Sequence, residues 1–513
     1  MLFQTLTFFL FFALVFGLYA ALRHRLSLQN HMLLVASYSF YGWWDVRFLI
    51  LIVGGTAFAY IIGPAVAGER IGGRQIVHGL GLALAGALVS FLPDFRHDWR
   101  HLLLVLALMA ATALLARLLN AAPPERRARL ALAMGVAANL ALLGFFKYFN
   151  FFADSFVHVV QWFGGQVTWT TANIVLPLGI SFFTFQKIAY LIDVRRGEFP
   201  PSKSILTFAS FVAFFPQLVA GPIERAPHLY RQFVQPRRIT AEGLESGALL
   251  FLWGMYKKVV VADNLAPIAN DVFARTGSAT TGELMVGLLA FAFQIYGDFS
   301  GYTDMARGIA RMMGFELVLN FRLPYFSRTP SEFWERWHIS LSSWLRDYLY
   351  ISLGGNRGGK ARTYRNLFLT MLLGGLWHGA NWTFLAWGAF HGLILILYRL
   401  LDIDRRVMPK VNGWMTTNPA AGWGANILLW ALMSVLTLVG WLFFRAADLA
   451  SVGHYFAAFT GGFNLHAGWG TLLFYIAPLA LVQCWQRWSG RLEFLVAAPP
   501  FLRLNLVLFL VCS

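Results

Sequence analysis

The chain has 513 residues, of which 58% are hydrophobic and 13% are charged, and its formal net charge is +17. Too few polar side chains are present to cover the surface of a soluble protein of this length, so the composition predicts an integral membrane protein. The basic residues fall in short clusters between apolar runs, such as Arg195 and Arg196 or Lys257 and Lys258. That distribution is typical of cytoplasmic loops and disfavours a nucleic-acid-binding surface.

The chain contains two cysteines, Cys484 and Cys512, and both lie in apolar C-terminal stretches. So small a number excludes a disulfide framework and a cysteine metal cluster. Neither cysteine neighbours a candidate base, which disfavours a cysteine nucleophile.

Apolar runs recur along the whole chain. The first, residues 2–22, lacks a basic leader and a small-residue cleavage pattern, so a retained helix is expected. Because Arg23 and Arg25 follow it, its end is expected in the cytoplasm. Further apolar segments lie at 32–45, 47–66, 76–93, 101–120, 130–148, 173–192, 205–221, 246–262, 283–300, 366–379, 382–400, 424–445, 470–484 and 501–511. Several are too short to cross a bilayer alone. The predicted fold is therefore all-α and polytopic, with roughly eleven to thirteen transmembrane helices plus re-entrant and interfacial amphipathic helices.

Two carboxylates stand in the run QIYGDFSGYTDMARG, at Asp298 and Asp304. Carboxylates beside an apolar run need partners or a watery cavity. They could orient a histidine, bind a cation in a transporter, or pair with Arg307 and Arg311.

The stretch Pro330–Tyr350 has aromatic residues at helical spacing and charges at other positions. It predicts an amphipathic helix at the bilayer interface, with its tryptophans at headgroup level. His338 lies on this stretch, either as a packed interfacial residue or in a chemical role.

A glycine-rich basic loop follows at Gly354–Arg362. Ala361 stands where a phosphate loop needs Ser or Thr, and no strand precedes it, so a nucleotide hydrolase is rejected. Arg357, Lys360 and Arg362 could still hold the phosphates of a cosubstrate such as coenzyme A. A plain positive-inside loop is the alternative.

His378 ends an apolar run, with Asn381 three residues later, so an imidazole with a possible amide partner lies near or within the membrane. A neutral histidine suits general base work near pH 7. His391, thirteen residues further on, would face another side of one continuous helix unless Gly379 and Gly388 bend the chain. None of the three histidines has metal-site spacing, so no metal is expected.

Three long motifs carry a resemblance to a known family. They are QIYGDFSGYTDMARG at 294–308, NFRLPYFSRTPSEFWERWHISLSSWLRDYLYISLGGNRGG at 320–359 and LLGGLWHGANWTFLAWGAFHG at 372–392. Together with segments at 34–49, 142–155, 176–198 and 211–233, they resemble the polysaccharide-acetylating branch of the membrane-bound O-acyltransferase family. Residues 130–400 would form the family core, with its catalytic stretch at 294–392, between transmembrane regions at 1–129 and 401–513. Residues 68–125 contain apolar segments that do not match the pattern.

The resemblance implies an acetyl-CoA-dependent enzyme of the bacterial inner membrane that passes acetyl groups across the bilayer. The family's most constant histidine matches His378, as a general base or as the residue briefly acylated. Its second histidine matches His338, which would orient the thioester or help the proton leave. Asn381 would hold the imidazole or the developing oxyanion. Acetyl-CoA is expected at the basic loop and Trp337, with no permanently bound cofactor.

The resemblance also implies an extracytoplasmic partner subunit that modifies the sugar, because the chain has no sizeable polar domain for a long glycan. Alginate is the first choice of polymer, with cellulose, other exopolysaccharides, peptidoglycan and teichoic acid as alternatives. A transporter or flippase built on the carboxylates and membrane histidines, or a scaffold of an export complex, are the alternatives from other functional classes. The lack of a repeated half counts against the transporter.

Overall fold

The computed structural model describes residues 1–91, 100–167, 171–172, 174–458, 468–499, 503–507 and 510. Every regular element within these ranges is helical. Part of the predicted segment 501–511, the end of segment 76–93 and Cys512 lie outside the described residues.

Helices of ten or more residues form most of the chain. They are Leu6–Ala21, Leu26–Gly42, Leu49–Val66, Gly73–Phe91, Arg100–Ala121, Pro124–Leu143, Phe149–Trp162, Ile180–Arg196, Ala241–Met255, Asp263–Ala274, Thr281–Met312, Lys360–His378, Trp382–Leu400, Met408–Thr417, Pro419–Arg445, Leu449–Ala458 and Gly468–Ser489. Shorter helices are Ile205–Ala213, Phe215–Leu218, Arg231–Val234, Pro330–Trp334, Ile339–Trp344 and Phe494–Ala497. Wider π-helical turns occur at Gly144–Tyr148, Ala226–Tyr230, Tyr256–Ala262, Leu345–Tyr350 and Ile403–Val407, and 3-10 turns at Val46–Phe48 and Pro324–Phe326.

Eight helices among the described residues are long and apolar enough to cross a membrane. They are Val46–Val66, Gly73–Phe91, Arg100–Ala121, Pro124–Trp162, Thr281–Met312, Trp382–Leu400, Pro419–Arg445 and Gly468–Ser489. The all-helical membrane class is thus confirmed. The number that meets this criterion is below the expected eleven to thirteen, because some apolar runs fold as broken helices. The run 205–221, for example, ends one helix at Ala213 and starts a four-residue helix at Phe215, with Pro216 in its first turn.

The chain divides into two compact units. The first comprises Met1–Gly247 and Ile309–Leu317. One of its buried centres is Arg237, whose guanidinium donates to Tyr19 Oη at 2.9 Å and to Asn30 Oδ1 at 2.8 Å and lies over the ring of Phe315. A buried cation held by neutral acceptors and an aromatic face fixes the elements that carry them.

The second unit comprises Ala248–Gly308 and Val318–Ser513 and contains all three singled-out histidines. Two of its helices cross closely where glycines meet. A Cβ on Gly301 would lie only 2.7 Å from the carbonyl oxygen of Gly254. This close approach places Lys257 and Lys258 beside the two carboxylates of the helix Thr281–Met312.

The helices Lys360–His378 and Trp382–Leu400 form a tight hairpin. A Cβ on Gly388 would lie 2.5 Å from the carbonyl oxygen of Met371, so only glycine allows the backbones to approach this closely. The hairpin sets the position of His378 at the turn and His391 on the returning helix.

Candidate active site

The stretch Pro330–Tyr350 is not the single amphipathic helix that the sequence predicts. The helix Pro330–Trp334 ends early, His338 takes a left-handed conformation with φ 45°, and a new helix begins at Ile339. A left-handed non-glycine residue is costly and persists only where its surroundings fix it. The prediction of a continuous helix was wrong because the residue that breaks it lies elsewhere in the chain.

That residue is Asn320. Its side-chain oxygen accepts hydrogen bonds from the Ser340 backbone N–H at 3.1 Å and from the Ser340 hydroxyl at 2.9 Å. The same oxygen lies 3.1 Å from His338 Nδ1, and the Asn320 carbonyl accepts from the Ile339 N–H at 2.9 Å. An amide oxygen only accepts, so His338 donates from Nδ1 and Nε2 carries the lone pair.

His338 is 1% exposed and lies outside the eight candidate spans. Its ring meets Phe299 edge to face at 4.5 Å, and burial lowers its pKa to about 3. The imidazole is therefore neutral near pH 7. Its Nε2 is buried with no hydrogen-bond partner among the described residues. His338 thus presents an unprotonated nitrogen with a free lone pair inside the unit.

Trp337 is buried in the core of the second unit, whereas the sequence predicted that the tryptophans of this stretch lie at headgroup level. It is 3% exposed and packs against Trp441 at 4.7 Å, Phe321 at 5.0 Å and Phe333 at 5.8 Å. The helix break places the Trp337 ring among these aromatic side chains, and the position of the stretch at the bilayer interface stays a prediction. Trp337 therefore forms part of an aromatic wall beside His338.

His378 is the last residue of its helix, and Gly379 continues in an extended conformation. The imidazole is half-buried and is surrounded by the rings of Trp377 at 4.9 Å, Trp387 at 5.0 Å and Phe444 at 5.1 Å. It is more accessible than His338 or His391. Of the three histidines it is the one that a substrate can reach with the least rearrangement.

His391 belongs to the same cluster as His378. The chain reverses between Gly379 and Asn381, so the two histidines do not share one helix, and each contacts the ring of Trp387. His338 is joined to the group through Trp377, at 6.1 Å. We call His338, His378, His391, Trp377 and Trp387 the histidine cluster. The bend lies at Gly379, one of the two glycines at which the sequence allowed the chain to bend.

Asn381 caps the helix Trp382–Leu400. Its side-chain oxygen accepts from the Thr383 N–H at 3.0 Å, and its amide group donates to the Ala447 carbonyl at 3.0 Å. Asn381 therefore fixes the turn that carries His378. Its predicted contact with the imidazole or an oxyanion stays a prediction.

The basic loop borders a polar cavity of about 740 Å³. Of the three basic residues that the sequence offered for phosphate groups, Lys360 lines it, whereas Arg357 and Arg362 are not among its lining residues. Arg399 and Arg405 line it as well, together with the carboxylates of Asp402 and Asp404. Sequence reasoning missed Arg399, at the end of the apolar segment 382–400, and Arg405, in the basic cluster that follows it.

The carboxylates Asp298 and Asp304 are both paired. Asp298 lies 2.6 Å from Lys258 Nζ, and Asp304 lies 2.6 Å from Lys257 Nζ and 3.6 Å from Arg307. The pairing interpretation is supported, but its main partners are lysines from another helix. Arg311 pairs with Glu316 instead.

This fold and site define a polytopic membrane protein with a half-buried histidine at a helix end, two buried histidines close by and a polar cavity in the same unit. Residues 198–440 match the membrane-bound O-acyltransferase family. The chain is 42% identical over 441 residues to the probable alginate O-acetylase AlgI of Pseudomonas aeruginosa, covering 86% of this chain and 71% of that protein. It is 33% identical over 449 residues to the peptidoglycan O-acetyltransferase of Helicobacter pylori, covering 82% and 71%. It is 31% identical over 241 residues to the teichoic acid D-alanyltransferase of Streptococcus thermophilus, covering 44% and 58%.

The chain belongs to the membrane-bound O-acyltransferase family, a family of enzymes. The resemblance drawn from the motifs around His338, His378 and His391 is thereby confirmed.

Proposed function

We propose that this protein takes acetyl groups from cytoplasmic acetyl-CoA and passes them across the bacterial inner membrane for O-acetylation of an exopolysaccharide, with alginate as the polymer. The observation that carries this proposal is the position of His378. It is a half-buried imidazole at a helix end, enclosed by aromatic rings and close to two buried histidines. The name of the Pseudomonas relative, a probable alginate O-acetylase, supports acetyl as the transferred group and alginate as the polymer.

The reaction needs one base and little else, because a thioester is already activated. His378 accepts the proton of the acceptor hydroxyl, and the hydroxyl oxygen forms a bond to the acetyl carbonyl carbon. The carbon–sulfur bond then breaks, and the imidazolium returns the proton to the departing thiolate. A transient acetyl-histidine at the same residue is the alternative route. The aromatic shell excludes water, which limits hydrolysis of the thioester.

His338 acts as the assistant in this scheme. Asn320 holds its Nδ1–H, which directs the Nε2 lone pair away from that bond. In a buried aromatic environment a neutral imidazole can accept a hydrogen bond without carrying charge. This suits orientation of the thioester or transfer of the proton, the two roles that the resemblance suggests.

The polar cavity is our proposed binding site for the nucleotide end of coenzyme A. Lys360, Arg399 and Arg405 outnumber the carboxylates of Asp402 and Asp404 around about 740 Å³ of space, and the three cations can hold phosphate groups. Arg357 and Arg362, which the sequence also offered for the phosphate groups, lie on the same loop as Lys360 but do not line the cavity. Trp337 belongs to the aromatic wall, and we propose that it contacts the acyl end of the donor.

The acetyl group then reaches an extracytoplasmic partner subunit, which acetylates the polymer. The paired state of Asp298 and Asp304 disfavours a transporter, because neither carboxylate is left to bind a cation alone. Peptidoglycan is the second candidate acceptor, favoured by the Helicobacter relative.

The test uses labelled acetyl-CoA and membrane vesicles that contain the full-length protein. Inverted vesicles expose the cytoplasmic face and should consume acetyl-CoA, whereas right-side-out vesicles should not. Consumption from the outer face only would contradict the proposed direction. Deletion of the gene should lower the acetyl content of alginate and leave that of peptidoglycan unchanged. The reverse pattern would assign the acceptor to peptidoglycan.

A further inference from the structure

A hydrogen-bonding cradle lies beside the histidine cluster, where the helix Pro419–Arg445 passes the helix Trp382–Leu400. Its floor is Gly440, which is buried. A Cβ at Gly440 would lie 2.8 Å from His391 Nε2 and 3.7 Å from Trp387 Nε1. Both nitrogen atoms therefore lie beside Gly440, and we call His391, Trp387 and Gly440 the Gly440 cradle.

The cradle contains buried ring nitrogens without a hydrogen-bond partner among the described residues, and in His391 this atom is Nδ1, not the Nε2 that lies beside Gly440. His391 and Trp387 are each 2% exposed. Within the described residues, His391 Nδ1 and Trp387 Nε1 have no hydrogen-bond partner, and the same holds for the indole nitrogen of Trp334, whose ring lies 5.1 Å from His391. Buried polar groups without partners are uncommon, and each calls for an explanation such as a ligand or bound water.

The chemistry of the cradle restricts what it can bind. An indole N–H only donates, so the ligand atom that it meets must be an acceptor. The rings of Phe333 and Phe390 also border His391, at 6.2 Å and 5.4 Å, which makes the surroundings apolar and penalises a charged ligand. A neutral carbonyl or hydroxyl oxygen meets both conditions.

The cradle is also close to the proposed chemistry. Trp387 meets the His378 ring edge to face at 5.0 Å and the His391 ring at 4.7 Å, so one indole contacts both histidines. Asn381, the residue that the sequence favoured for an oxyanion, already bonds Thr383 and Ala447. Trp387 is therefore a better placed donor, since its N–H is not engaged by a described residue.

We infer that the Gly440 cradle binds a neutral acceptor oxygen of a substrate while the reacting group lies against His378. This inference rests on the proposed acetyltransferase function. The oxygen belongs either to the acetyl carbonyl of the donor or to the hydroxyl of the acceptor. In the first case, Trp387 donates from Nε1 to the oxygen as negative charge develops on it and the carbon–sulfur bond breaks. In the second case, Trp387 orients the hydroxyl whose proton His378 takes.

The test uses full-length protein in native membranes and compares Gly440→Ala with Gly424→Ala. Both glycines lie on the helix Pro419–Arg445, but a Cβ at Gly424 meets nothing within 4 Å. Gly424→Ala therefore controls for the change in helix propensity. A second variant, Trp387→Phe, removes the indole N–H and keeps an aromatic ring beside His378. It serves if Gly440→Ala fails to fold.

We expect Gly440→Ala and Trp387→Phe to lower kcat/KM by about tenfold or more relative to Gly424→Ala, at equal protein level and thermal stability. Slower hydrolysis of acetyl-CoA without acceptor would assign the oxygen to the acetyl group. Unchanged hydrolysis with a raised KM for the acceptor would assign it to the hydroxyl. If both variants stay within about twofold of the control for both substrates, the cradle holds only structural water and the inference is overturned. If the native protein transfers no acetyl from acetyl-CoA, the proposed function itself fails, and this inference fails with it.

Discussion

His378 and Trp387 meet edge to face across the turn between two helices, with ring centroids 5.0 Å apart. The turn depends on Gly388, which lets the helices approach, and on Asn381, which caps the second helix. Trp387 also contacts His391, so this one indole joins two histidines that the sequence separates by thirteen residues. The geometry of the site therefore depends on the hairpin as much as on the histidines.

Substitutions of Asn381 test whether this residue is a structural helix cap or an amide that takes part in catalysis. Asn381→Ala should cost roughly 0.5–2 kcal/mol of stability through loss of the cap. Asn381→Asp and Asn381→Ser keep a capping oxygen and should restore both stability and most of the activity, because the amide is engaged with Thr383 and Ala447. The measurements are the melting temperature in detergent and acetyl-CoA turnover. Full stability of Asn381→Asp with activity reduced by 100-fold or so would instead support direct contact with the reaction.

Substitutions of Lys257 and Asp304 test the interpretation that the ion pair between them stabilises the fold and has no part in catalysis. Lys257 is 3% exposed, so Asp304→Asn leaves a buried cation without its main partner and should cost roughly 3–5 kcal/mol. The amount of the Asp304→Asn protein in the membrane should therefore fall. The double variant Lys257→Met with Asp304→Asn removes the unpaired charge and should recover both the amount of protein and acetyl transfer. A stable but inactive double variant would show that the pair takes part in function.

Lys360 tests the proposed coenzyme A cavity. Lys360→Gln should raise the KM for acetyl-CoA about tenfold, because a charge-assisted bond to phosphate is lost. The KM for acetyl-pantetheine, which lacks the nucleotide, should not change. Lys410→Gln, at an exposed lysine outside the cavity lining, is the matched control. An equal effect of Lys360→Gln on both donors would place the nucleotide elsewhere.

His338 and His228 should give opposite pH effects on stability. Burial lowers the pKa of His338 to about 3, below the value in the unfolded chain. The neutral histidine's contribution to folding stability is therefore present at pH 7.5 and is lost as the pH falls. At pH 5.5 the loss is about 1.4 kcal/mol for an unfolded pKa near 6.5. His338→Gln should therefore lose less stability on acidification than the native protein.

His228 provides the control of opposite sign. The hydrogen bond with Glu224 raises the pKa of the His228 imidazole. The contribution of this bond to folding stability is therefore present below the pKa of the unfolded chain and is lost as the pH rises. His228→Gln should therefore lose more stability than the native protein between pH 7.5 and pH 5.5. Melting temperatures at the two pH values provide the measurement. Shifts of the same sign in both variants would contradict the assignment of a buried, neutral His338.

The membrane class, the family and the importance of the stretch around His338 and His378 can be read from the sequence, because apolar runs and long motifs are local signals. The break at His338 cannot, since it depends on Asn320 from another part of the chain. Nor can the partners of Asp298 and Asp304, because Lys257 and Lys258 reach them only through the close crossing of Gly254 and Gly301. Arg399 joins the polar cavity for a similar reason, since the hairpin brings it back to the loop. Long-range packing, and not residue type, decided these features.

The most direct test of the account is the O-acetyl content of exported polymer from cells that carry His378→Gln in place of the native protein. The account predicts a loss of roughly 100-fold or more, as expected when a general base is removed, with an unchanged level of the protein in the membrane. His78→Gln, at an exposed histidine, should leave the acetyl content unchanged. Near-normal acetylation in the His378→Gln cells would contradict the central role of His378.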